Sequence, residues 1–201
     1  MGLKIYGVSQ SRAIRVLWMA QELGVPFEHV PQDFAGEKSP AFLAVNPNGR
    51  VPAIDDDGVL LFESMAINLY LAKKYGAAAG LAPKDLVEDG IATQWSFWVM
   101  TEIEKTLLNA MFAARGMMGN AKDPEKAAAY RAELDRPFAV LDGALAGKDY
   151  LMGGRFTVAD LNVAAVLTWA RPAGVDFANR PNVEAWLARC LARPAFAKAR
   201  A

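Results

Sequence analysis

The stretch Gly76-Ala77-Ala78-Ala79-Gly80, running into Ala82-Pro83, divides this chain in two. Before it, strand-like and helical patterns alternate; after it, apolar residues recur only at helical spacing. Small residues followed by proline suit a connection between domains, where few packing contacts cross. The sequence therefore predicts a first domain over 1–78, a linker over 79–84 and a second domain over 85–201. A chain of 201 residues is long enough to bury a core in each.

The first segment opens with the apolar run Leu3 to Tyr6, which ends at Gly7 and reads as a buried strand. Ser11 is placed to cap a helix carried by Ala13, Val16, Leu17 and Ala20, with Gly24 as its stop. Val25 to Val30 then reads as extended. This β-α-β opening implies two parallel strands joined by a right-handed crossover. A short helix over Pro40 to Val45 follows. Val51 to Ile54 and Val59 to Phe62 flank Asp55-Asp56-Asp57-Gly58, whose Asp-Gly pair favours a tight antiparallel turn. Ser64 caps a further helix, Met65 to Tyr75, which Gly76 ends.

The second segment reads as helical throughout. Leu86 to about Gly116 is long and rich in Trp, Phe and Met. Asp123-Pro124 supplies an N-cap and a first-turn proline for a helix to about Ala146, which Pro137 must kink or break. Thr157-Val158-Ala159-Asp160 resembles a capping box, with Asp in place of Glu, ahead of a very apolar helix. Pro181 and Pro194 punctuate the last short helices. The expected fold class is thus α/β followed by all-α.

Composition removes several kinds of chemistry. Lys+Arg and Asp+Glu each number 22, so no net field draws the chain to nucleic acid or an anionic membrane. Cys190 is the single cysteine, which excludes an intramolecular disulfide and a cysteine zinc cluster; His29 is the single histidine, which excludes a His-rich metal site. No metal is expected. Any Ser-His or Cys-His chemistry would have to use His29, so the reactive group is expected to arrive with the substrate. Every apolar run is interrupted by charge before it reaches membrane-spanning length, and the opening residues read as a strand rather than a signal peptide, making cytoplasmic the expected location.

Three words in order carry a resemblance. Asn46-Pro47-Asn48-Gly49-Arg50-Val51-Pro52-Ala53, Leu61-Phe62-Glu63-Ser64-Met65-Ala66-Ile67 and Phe156-Thr157-Val158-Ala159-Asp160 resemble the N-P-x-G-x-V-P, L-x-E-S-x-A-I and C-terminal capping-box stretches of the cytosolic glutathione transferases. The resemblance covers essentially the whole chain, and the order β-α-β, β-β-α resembles the thioredoxin fold. It implies a thioredoxin-like glutathione-binding domain followed by an all-helical domain, a homodimer, and no permanently bound cofactor, with glutathione as co-substrate. It also implies a cis Val51-Pro52 peptide, which leaves the N–H and C=O of Val51 free to pair with glutathione's cysteinyl backbone. Glu63 and Ser64 would meet the γ-glutamyl end at a helix N-terminus. Arg50 and Lys38 fall where the family places cations for the glycyl carboxylate.

Glutathione's thiol is mostly protonated at neutral pH, since a cysteine thiol has a pKa of about 8.5. A hydroxyl donating to the sulfur favours the thiolate. Ser11, Ser9 and Tyr6 compete for that role, in that order. Ser11 matches the serine of the plant phi class counting forward from Gly7, and Arg15-Val16-Leu17 matches that class's Arg-Val-Leu with one residue fewer between. Counting back from Arg15 brings Ser9 near the position. Tyr6 matches the tyrosine of the alpha, mu and pi classes. Trp98, Met111 and Phe112 are candidates to line an apolar second-substrate pocket, with core or dimer contact as the competing reading. The resemblance implies conjugation of glutathione to small apolar electrophiles. The alternatives are a non-catalytic glutathione-binding or interaction protein, or an isomerase, dehalogenase or peroxidase on the same fold.

Overall fold

The computed structural model describes residues 2–33, 36–117, 119 and 121–201. Two compact units result, one formed by residues 1–89 with 192–201 and the other by residues 90–191.

The first unit holds a four-stranded sheet in the order β2-β1-β3-β4, built from β1 (Leu3–Tyr6), β2 (Phe27–Val30), β3 (Ala53–Asp56) and β4 (Val59–Phe62). β1 pairs in parallel with β2 and antiparallel with β3, with Tyr6 opposite both Val30 and Ala53. The β3–β4 hairpin turns at Asp57 and Gly58, both at positive φ, and the Asp55 carboxylate accepts from the Gly58 N–H at 2.8 Å. The predicted strand from Val51 starts two residues later, at Ala53, and the Val51–Pro52 peptide just before it is cis.

Helix α1 (Ile14–Leu23) is buried from Ile14 through Ala20, and Gly24 closes it in the left-handed conformation. α2 (Pro40–Val45) is capped by Ser39, whose hydroxyl accepts from the Phe42 N–H. α3 (Ser64–Tyr75) buries Met65, Ile67, Asn68, Leu71 and Ala72, the recurrence of a helix with one face inward. Its far end is tied to the hairpin at Asp56, which is fully buried and accepts from Lys74 Nζ and the Tyr75 hydroxyl, each at 2.8 Å. Burial pushes the Asp56 carboxyl up, but hydrogen bonds from Lys74, Tyr75 and Tyr70 outweigh it and hold it below its ordinary value.

The second unit is all helix: most of α4 (Leu86–Trp98), a π-helical stretch Val99–Glu104, α5 (Lys105–Arg115), α6 (Pro124–Glu133), α7 (Asp135–Leu145), α8 (Val158–Leu167) and α9 (Pro181–Leu191). Pro137 breaks the predicted long helix rather than kinking it: the chain leaves α6 at Leu134 and Pro137 lies in the first turn of α7, where its missing N–H costs nothing. Every residue of α8 is buried, so this helix is the centre of the unit's core. The capping box is present, with the Thr157 hydroxyl accepting from the Ala159 N–H and the Asp160 carboxylate accepting from the Thr157 N–H at 3.0 Å. Asp160 also accepts from the Leu151 N–H at 2.8 Å and from Trp186 Nε1 at 2.9 Å, making it a hub for three segments. Burial pushes its carboxyl above the ordinary value against the pull of these donors.

The last helix, α10 (Pro194–Arg200), belongs to the first unit rather than with the preceding helices. Phe196 packs on Trp18 of α1 with ring centroids 4.7 Å apart, and Arg193 grips Glu22 with two hydrogen bonds of 2.7 Å. Trp18 Nε1 donates to the same carboxylate at 2.9 Å. Sequence spacing alone gave no sign of this return, because a short apolar helix at the end of a chain can pack against any exposed stripe.

Candidate functional site

At the end of β1 the start of the α1 region meets Val51. Gly7, at φ 134°, sits so tightly that a Cβ there would lie 2.5 Å from Cβ of Ala13 and 3.2 Å from Cβ of Val51. No L side chain fits that backbone conformation or that gap. The glycine thereby brings the start of the α1 region against Val51. His29 Nε2 donates to the Gly7 carbonyl at 2.7 Å, so the one histidine steadies the strand end.

Val51 presents the edge the sequence predicts: its N–H and C=O have no hydrogen-bond partner among the described residues. The loop before it is held by Asn46, which is buried. Asn46 Nδ2 donates to the Arg50 carbonyl at 2.6 Å, and Oδ1 accepts from the Asn48 N–H at 3.0 Å. Sequence reasoning did not single out Asn46. The available signal was the habit of asparagine to bond its own backbone two residues on. Arg50 is exposed and forms no ion pair among the described residues. The stem of Lys38 lies against Gly49, its Cγ 3.2 Å from where a glycine Cβ would stand, and its Nζ donates to the Asp33 carbonyl at 2.7 Å. Both cations thus flank the same loop.

Ser64 is not the cap of α3 but its first residue; the cap position falls to Glu63, at φ 72°, and no side chain caps the helix. The reason is that the Ser64 hydroxyl is engaged elsewhere, accepting from Arg15 Nη1 at 3.2 Å. Ser64 is 4% exposed and Arg15 0%. Asn68 Nδ2, one turn on, donates to the Arg15 carbonyl at 3.2 Å. The first turns of α1 and α3 are therefore cross-linked. The Glu63 side chain is exposed and forms no ion pair among the described residues.

The three hydroxyls are placed differently. Ser11 does not cap α1, which begins at Ile14 with Ala13 at its cap position. It heads a tight turn just before, in which Ser11 N–H bonds the Val8 carbonyl at 3.0 Å and Ile14 N–H bonds the Ser11 carbonyl at 3.2 Å. The Ser11 hydroxyl accepts from the Ala13 N–H at 3.1 Å and donates to the Val8 carbonyl at 2.7 Å. Ser9 is half-exposed and makes no side-chain hydrogen bond among the described residues. Tyr6 is half-buried with its ring 5.8 Å from that of Phe42.

In the helical unit, Phe112 lines an open cleft of about 680 Å³ together with Asn109, Lys122, Lys126 and Tyr130. Trp98 and Met111 are not among its walls: Trp98 packs edge-on to Trp95 at 4.9 Å, and Met111 is buried. Cys190 is fully buried in α9. Among the described residues no cluster of His, Cys, Asp or Glu could hold a metal ion, and no helix is long and apolar enough to cross a membrane.

A thioredoxin-like sheet unit with a free Val51 edge, joined to an all-helical unit, defines the class. Comparison with known proteins agrees. The family models described as "Glutathione S-transferase, N-terminal domain" and "Glutathione S-transferase, C-terminal domain" match residues 1–73 and 99–194. The chain belongs to the cytosolic glutathione S-transferase family. It is 37% identical to glutathione S-transferase 3 of Zea mays, over 98% of this chain and 92% of that protein. Among solved structures it is similar to glutathione transferase F7 from Populus trichocarpa, with 32% identity, a TM-score of 0.87 and coverage of 98% and 97% of the two chains. The theta class glutathione S-transferase from Xanthomonas axonopodis pv. citri, solved with glutathione bound, matches at 30% identity and a TM-score of 0.87, covering 98% and 96%.

Proposed function

We propose that this glutathione transferase conjugates the glutathione thiolate to small apolar electrophiles. The observation that carries the reading is the Val51 edge, whose N–H and C=O lack partners among the described residues while Gly7 presses the α1 region against it. The cysteinyl backbone of glutathione pairs there like an added strand. Its γ-glutamyl carboxylate sits at the N-terminus of α3, where the helix dipole and uncapped N–H groups favour an anion, with Ser64 as a donor. Glu63 meets the γ-glutamyl ammonium, and Arg50 and Lys38 meet the glycyl carboxylate. The chain functions in the cytoplasm as a homodimer.

Ser11 activates the sulfur. Its single proton points at the Val8 carbonyl, and a thiolate, being charged, is the stronger acceptor and draws it away. Ser9, whose proton is uncommitted among the described residues, is the competitor, with Tyr6 third.

The test is the ultraviolet absorbance of bound thiolate as a function of pH. The wild-type complex should titrate below the roughly 8.5 of a free cysteine thiol, and Ser11→Ala should raise that midpoint by about one unit, worth about 1.36 kcal/mol. An unchanged midpoint in Ser11→Ala moves the role to Ser9 or Tyr6. No thiolate signal in the wild-type complex at neutral pH removes the transferase reading and leaves a glutathione-binding protein.

A further inference from the structure

We propose that Arg15 is a positioning residue for the γ-glutamyl carboxylate, acting through the Ser64 hydroxyl; this rests on the glutathione reading above. A serine hydroxyl has one proton and two acceptor lone pairs. At Ser64 one lone pair is taken by the Arg15 guanidinium at 3.2 Å, and the proton has no acceptor among the described residues. A hydroxyl that accepts from a cation turns its proton away from that cation and leaves it available to another acceptor. The guanidinium also polarises the O–H bond, which strengthens the donor.

The local structure serves this arrangement. Were Ser64 to cap α3 in the ordinary way, its oxygen would turn back onto the helix's own first-turn N–H groups and fill the anion position. Instead the cap position goes to Glu63 at a positive φ, no side chain caps the helix, and Ser64 is drawn toward α1. Arg15 is itself fixed, fully buried, with its carbonyl held by Asn68 Nδ2 at 3.2 Å. Two residues 49 apart in sequence thus set the direction of one proton. Arginine suits the task because its fork holds a fixed geometry where a lysine ammonium would not.

The experiment compares two peptides by titration calorimetry on the full chain: glutathione, and 4-aminobutyryl-cysteinyl-glycine, which lacks only the α-carboxylate. Wild-type protein should prefer glutathione. Arg15→Gln should weaken glutathione binding about tenfold or more, the scale of a charge-assisted hydrogen bond, and leave the analogue's affinity unchanged. The buried site tolerates the neutral amide poorly, so Arg15→Lys forms a second arm. It keeps a cation, should lose only a few-fold in preference, and should likewise leave the analogue unaffected. If either folded variant weakens both peptides equally, Arg15 is merely structural and the proposal is overturned. If the wild type binds the two peptides equally, the carboxylate subsite itself is wrong, and the proposal falls with it.

Discussion

Two helix starts in this molecule look alike in sequence and differ in what they do. Phe62-Glu63-Ser64 leads into α3 and Phe156-Thr157 into α8, each an aromatic residue and a hydroxyl residue ahead of an apolar run. At α8 the chain closes its own helix: Thr157 and Asp160 exchange capping bonds, and Leu151 and Trp186 fill the remaining acceptor sites of the carboxylate. At α3 the hydroxyl is pulled aside by Arg15, and no side chain caps the helix. A helix end that satisfies itself is a structural joint. One held open by an outside partner is available to an anion.

Substitutions should separate the two. The largest effect is expected for Asp160→Ala, which strips acceptors from three buried N–H groups and should cost about 3–5 kcal/mol of unfolding free energy in urea. Glutathione affinity of the folded protein should not change; a loss of affinity would mean the joint also shapes the site. Next come Thr157→Ala and Ser64→Ala, each expected to lower stability by about 1–2 kcal/mol through a lost cap or a lost buried bond. Only Ser64→Ala should also weaken glutathione, by roughly tenfold in calorimetry. Equal binding by the two variants would erase the contrast.

The smallest effect concerns pH, and it has opposite signs in the two units. Asp56 has a lowered folded pKa, so its contribution to stability is present above its unfolded value of about 3.9 and is lost as pH falls through the folded value. Asp160 has a raised one, so its titration contributes stability below the unfolded value that is lost as pH rises through the folded value. Urea unfolding across the acid range should show Asp56→Asn flattening the loss of stability on acidification. A steeper loss in that variant would contradict the assigned direction.

Much of this is legible in the sequence alone. The strand and helix order of the first unit followed from period and turn residues, as at Asp57-Gly58. The capping box at Thr157 followed from residue type at fixed spacing. The cis Val51–Pro52 peptide came from resemblance rather than from any rule of spacing, since most X-Pro bonds are trans. Arg15 was read only as part of a motif. An arginine within an apolar helix gives no sign of which distant hydroxyl it will reach, and an asparagine ahead of Pro47 gives no sign that it will clamp the Arg50 carbonyl.

The sequence by itself determined the family, the two-part architecture and the candidate residues for glutathione, because these depend on local period, caps and short words. Only the tertiary structure decided that α10 returns to α1 and that Ser11 heads a turn ahead of its helix. It also decided that Ser64 faces away from the cap position it was expected to fill. The return of α10 and the orientation of Ser64 hang on pairs far apart in the chain, Trp18 with Phe196 and Arg15 with Ser64. Hydrogen-bond direction and burial at such pairs are fixed by packing, which no local pattern records.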